Sequence, residues 1–133
     1  MIRFYYTTSS SSCRRAKAWL VDNNLPFEEI NLNTAHITKE DFLHILSLTE
    51  KGTDELIAKH GKTYQALDID FSTLSLSETI QLFNEHRSLL RKPLIVDEKR
   101  QVVGYSDDEI RKFVPRKIRK AQRSLVMDNM EEA

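Results

Sequence analysis

Sulfur chemistry is nearly absent from this chain. Its 133 residues hold one cysteine, Cys13. A single thiol forms no intramolecular disulfide and no cysteine-based zinc site. It also suits a reducing compartment, where disulfide scaffolds are not used. No apolar run approaches the length of a membrane span. The apolar start, Ile2 to Tyr6, is too short for a secretory core and runs straight into hydroxyl residues. These absences point to a cytoplasmic protein with no membrane segment. The four histidines, His36, His44, His60 and His86, lack metal-ligand spacing, so no metal or cofactor is expected.

Net charge is also missing, but only on average. Lys plus Arg is 20 and Asp plus Glu is 20. From Arg111 to Arg123 there are seven basic residues and no acid, which leaves 13 basic against 20 acidic residues elsewhere. A mildly acidic body therefore carries a basic segment towards the C-terminus. Two readings of that segment stand open. It is a solvated helix face, or it makes weak contact with DNA phosphates, which requires only cations. With 40% hydrophobic and 30% charged residues, the chain should fold as one domain spanning 1–133.

The pattern along the chain predicts an α/β protein. Ile2, Phe4 and Tyr6 alternate with Arg3 and Tyr5 as in a strand. The hydroxyl run Thr7 to Ser12 favours a turn and a helix cap. Cys13, Ala16, Trp19 and Leu20 then share one helical face, and Asn23-Asn24 ends the helix. Pro26 to Asn31 reads as a second strand. Thr38 is placed to cap a helix containing Phe42 and Ile45, Thr53 to Lys59 begins a short one, and Ser75 caps another. After Pro93, Leu94 to Val96 and Gln101 to Val103 form a hairpin around Asp97 to Arg100. Ser106-Asp107-Asp108-Glu109 is a capping box, with Ile110, Phe113 and Val114 behind it and Pro115 interrupting that helix. Strand, helix, strand, helical block, hairpin and helix match the order of a thioredoxin-like mixed sheet with a helical insertion, an order that pattern alone does not separate from other α/β topologies. The core covers about 1–36 and 89–115, the insertion about 37–88, and a basic segment about 116–133.

Several runs carry a resemblance. Tyr5 to Ala16, Leu48 to Glu55, and Asn84 to Arg100 resemble the Spx/arsenate-reductase-related family, and Val103 to Lys117 resembles its Spx regulators in particular. The resemblance implies a regulator that binds the C-terminal domain of the RNA polymerase α subunit and redirects transcription under thiol stress. It implies a redox switch at positions 10 and 13, where the family has Cys-x-x-Cys and this chain has Ser10 and Cys13. Arsenate reductases of this fold hold their nucleophilic cysteine at the position of Ser10. A serine hydroxyl gains little from a helix terminus at neutral pH, which argues against reductase activity.

The same resemblance places Pro93 as a cis-proline facing the loop, with Arg91 and Lys92 as anion-binding cations. Lysine lacks the planar fork of the arginine usual in the family. It places Tyr5 and Gly52 on the polymerase-facing surface, and it makes the C-terminus a target of the ClpXP protease, although Asn129 to Ala133 is acidic rather than apolar. The alternative is a glutaredoxin-like or arsenate-reductase-like thiol oxidoreductase using Cys13. Whether Cys13 is reactive or simply buried stays open at this point.

Overall fold

The computed structural model describes residues 1–8 and 10–114. Pro115, the segment Arg116 to Arg123 and the tail Asn129 to Ala133 lie outside the described residues. So does the expected continuation of the last helix.

The first strand, β1 (Ile2–Tyr6), is followed by helix α1 (Ser11–Asp22) and strand β2 (Phe27–Asn31). Helices α2 (Lys39–Ser47), α3 (Lys62–Leu67) and α4 (Leu76–Glu85) come next, and strands β3 (Leu94–Val96) and β4 (Gln101–Val103) form the hairpin. The sheet order is β2-β1-β3-β4, with β1 parallel to β2 and the other pairs antiparallel. This is the expected mixed thioredoxin-like sheet, with the helical block between β2 and β3. β2 is an edge strand whose Glu28 and Glu29 are exposed.

Strand alternation divides the interior in two. Ile2 and Phe4 of β1, Ile95 of β3 and Val102 of β4 pack with Cys13, Ala16 and Leu20 of α1. On the other face, Tyr5, Leu94 and Val96 pack with Phe42, Ile45 and Phe83 from the helical block. Successive strand side chains point to opposite faces, so the central strand supplies both cores.

Local signals explain most helix limits. Thr38 Oγ1 accepts from Asp41 N at 3.1 Å, and Ser75 with Glu78 forms a reciprocal capping box. Two expectations are corrected. Thr53 to Lys59 does not begin an α-helix: Gly52–Glu55 is a 3-10 turn. Beyond it Ala58 N donates to Leu89 O at 2.7 Å, and Arg91 N donates to Leu56 O at 2.8 Å. Backbone groups used across to residues 89–91, a donor at Ala58 and an acceptor at Leu56, are lost to a helix. Ser106–Glu109 likewise opens only a 3-10 turn, Ile110–Phe113. Val114 is extended (φ −80°, ψ 129°), as a residue before proline prefers.

Asn84 ties the helical block together. Its side chain accepts from Ile37 N at 2.9 Å and donates to Ile37 O at 3.0 Å. Asn84→Ala leaves both groups of a buried residue unpaired. It should cost about 2 kcal/mol and lower the melting temperature by roughly 8 °C. An unchanged thermal midpoint in calorimetry would show that water replaces both bonds.

Candidate functional site

The loop after β1 leads into α1, and Ser10 is the turning point. Its backbone is extended (φ −91°, ψ 123°), and its Oγ accepts from Cys13 N at 3.2 Å. Ser10 is therefore the N-cap of α1, which satisfies one of the four amides that a helix start leaves free. The link between positions 10 and 13 is this hydrogen bond from backbone to hydroxyl. Cys13 lies inward and is 2% exposed, against Ala16 and Leu20. Of its two readings, the resting structure favours the buried thiol.

The Lys92–Pro93 peptide bond is cis. Pro93 is buried, and its carbonyl accepts from Gly104 N at 2.8 Å. Lys92 is half-buried, and loss of hydration pulls its ammonium below the usual lysine range, while the charge of an ionised Cys13 would push it back up. Lys92 thus belongs to the Cys13 side. Arg91 does not join it there. Its Nη1 donates to Glu55 O at 3.3 Å, and a Cβ on Gly104 would stand 3.2 Å from its guanidinium. Arg91 lines a cavity of about 460 Å³ with Asp54, Lys59 and His60. The expected pair of cations is split between two places.

Gly52 stands at the mouth of a tight corner with φ +69°, a left-handed conformation that glycine adopts at no steric cost. Nothing lies within 4 Å of where its Cβ would be, so the position faces open space. The corner is held by Glu55, whose carboxylate accepts from Glu50 N at 2.9 Å and Lys51 N at 2.8 Å. That role has no local signal beyond an acid near a glycine.

Tyr5 is 2% exposed and packs in the core with Leu94 and Val96. Burial pushes its phenol above the usual tyrosine range. The expectation that Tyr5 shares an open surface with Gly52 is corrected: Gly52 is accessible and Tyr5 is not, because β1 is central and covered on both faces. Beside Tyr5, Arg3 pairs with Asp41 of α2, an ion pair that strand and helix patterns leave invisible. Among the described residues no cluster of three or more His, Cys, Asp or Glu could hold a metal ion, and no helix is long and apolar enough to cross a membrane.

Comparison with known proteins places these features. The sequence pattern of the ArsC family matches residues 5–113. The global transcriptional regulator Spx of Streptococcus pneumoniae R6 is 46% identical over 122 residues, covering 92% of each chain. That of Staphylococcus aureus Mu50 is 43% identical over 92% of this chain and 93% of its own. The crystal structure of an ArsC family related protein from Bacteroides fragilis superposes with a TM-score of 0.70 at 25% identity, over 84% of this chain and 95% of that one.

Burial of Cys13 has a direct readout. In the native protein it should react with a neutral thiol reagent about 100-fold more slowly than in denaturant, since reaction needs local opening. Ser10→Ala removes the cap, costs about 1 kcal/mol of stability and should speed the reaction. Equal native and denatured rates would show the thiol to be open.

Proposed function

Because the chain belongs to the ArsC family and stands among its Spx regulators, we propose that it is a cytoplasmic transcription regulator that docks on the C-terminal domain of the RNA polymerase α subunit. In this reading its output is free of an internal disulfide switch. The observation that carries the reading is Ser10: a chain 46% identical to a named regulator over nearly its whole length holds a helix-capping hydroxyl where the family's thiol chemistry begins. Reductase chemistry through position 10 has no place in this proposal. A serine hydroxyl occupied as an acceptor, with no general base bonded to it among the described residues, is not an activated nucleophile.

Docking is assigned to the surface around Gly52. A left-handed corner without a side chain, open to solvent, permits close approach of another backbone. Gly52→Arg directs a long cation into that space. It should weaken binding to purified α C-terminal domain at least about tenfold, or 1.4 kcal/mol. Gly52→Asn tolerates the left-handed backbone and is the control for strain. Parent-like affinity of a folded Gly52→Arg protein, measured by calorimetric titration, would assign docking to another face.

The redox part is tested in a purified transcription system. A disulfide needs α-carbons about 4.4–6.8 Å apart, which residues in one helical turn provide. The parent should respond equally with oxidant and with reductant. Ser10→Cys should gain an internal disulfide and an oxidant-dependent output. Strong oxidant activation of the parent without a disulfide-linked adduct would sink the proposal, because Cys13 is the only thiol. Recognition by ClpXP belongs to the same reading.

A further inference from the structure

The Gly52 corner is a loop fixed at both ends and held across its middle by one side chain. At its start α2 closes. Leu48 N donates to Ile45 O at 3.2 Å, and Thr49 N and Thr49 Oγ1 both donate to Leu46 O, at 3.1 and 2.7 Å. At its end Leu56 is fully buried, and its carbonyl accepts from Arg91 N at 2.8 Å. Ile57 bridges to Leu90, and Ala58 N donates to Leu89 O at 2.7 Å. Glu50, Lys51 and Gly52 stand between these two anchors, with Glu50 and Lys51 exposed. Among the described residues no backbone carbonyl reaches the amides of Glu50 or Lys51. Both donate instead to a single atom, Glu55 Oε1, at 2.9 and 2.8 Å.

Glycine makes that atom matter. Without a Cβ, Gly52 populates left-handed and right-handed backbone about equally. Its φ of +69° is one choice among several, and no packing selects it, since nothing lies within 4 Å of its Cβ position. The two bonds to Glu55 do select it. They tie the residues just before the glycine to a residue just after it, with Gly52 as the hinge between. Glu55 cannot follow a wandering apex, because its own carbonyl accepts from Arg91 Nη1 at 3.3 Å and the adjacent Leu56 lies in the core. The rigidity of the core therefore reaches the exposed corner through the Glu55 side chain.

We propose that Glu55 is a positioning residue for docking: through one carboxylate oxygen it holds residues 50–52 in the shape that the partner domain meets. The inference rests on the assignment of docking to the Gly52 corner. A surface that is shaped before the encounter loses no population to conformations that the partner cannot use. Removing the acceptor leaves the chemistry of residues 50–52 in place and lowers the fraction of molecules that hold the right shape. Apparent affinity falls in proportion to that fraction. The loss belongs to association, because the complex that does form makes the same contacts. A residue that touched the partner would act on dissociation instead.

The experiment measures binding kinetics of full-length chains to purified α C-terminal domain by surface plasmon resonance. Glu55→Ala should associate about tenfold more slowly and dissociate at the parent rate. Glu55→Gln loses the charge but keeps an oxygen in the same place, so it should bind like the parent. Glu55→Asp keeps the charge but falls one methylene short of both amides, so it should bind like Glu55→Ala. In the unbound chains, amide hydrogen exchange at Glu50 and Lys51 should be about tenfold faster in Glu55→Ala and Glu55→Asp, with Leu56 and Ala58 unchanged. Parent-like association of folded Glu55→Ala and Glu55→Asp would overturn the inference. So would a loss carried by faster dissociation, which marks Glu55 as a contact, or a Glu55→Gln protein as weak as Glu55→Ala, which marks its charge. Gly52→Arg, run alongside, separates this inference from the reading beneath it. If Gly52→Arg weakens binding and Glu55→Ala does not, docking at the corner stands and Glu55 is not its positioning residue. If Gly52→Arg binds like the parent, the docking reading itself falls and takes this inference with it.

Discussion

Five residues of β1 hold two cores apart and together. Ile2 and Phe4 anchor the α1 side, and Tyr5 anchors the helical side. The strand is paired on both edges, parallel to β2 and antiparallel to β3. A one-residue slip in its register would turn each set of side chains into the wrong core. Helix α1, the helical block and the hairpin all pack against this strand or its neighbours, so their placement depends on its alternation. The loop that carries Ser10 starts where the strand ends, which fixes the site to the most constrained element of the fold.

The same two-sidedness organises the site. Arg91 and Lys92 are neighbours in sequence, and the chain bends at Lys92 before the cis bond to Pro93. Lys92 goes to the Cys13 side, and Arg91 goes to Glu55 and Gly104 near the Gly52 corner. The thiol loop and the candidate docking corner are therefore joined through two consecutive residues rather than through one shared pocket. A serine cap at position 10 leaves this arrangement in place. It makes the bond to Cys13 N that a helix start requires and contributes nothing to electron transfer.

Much of this was legible in the sequence. The strands, the caps at Thr38 and Ser75, the hairpin and the apolar face of α1 follow from local periodicity and short-range hydrogen bonding. The family runs from Tyr5 to Lys117 supplied the sheet topology that periodicity alone leaves open. What escaped reading depends on partners distant in sequence. Leu56 to Ala58 bonds across to residues 89–91, so the helix expected from Thr53 never forms. Tyr5 alternates like any strand residue, and only the sheet order reveals that it is covered. Arg3 with Asp41, and Asn84 with Ile37, span 38 and 47 residues and leave no local trace. Arg91 bonds to Glu55 O, 36 residues away, and a run of cations does not display such a partner.

One edge of the sheet is β2, whose middle residues are two consecutive glutamates. An open strand edge is a template on which another chain's strand can add. Glu28 and Glu29 lie on opposite faces of that edge, so an incoming strand would meet a carboxylate whichever way it approached, and Glu29 already holds Lys17 at 2.8 Å. At neutral pH the protein is thus guarded against stacking into fibrils from this side. High salt screens those charges and weakens the guard, and concentrated samples should be handled with this edge in mind.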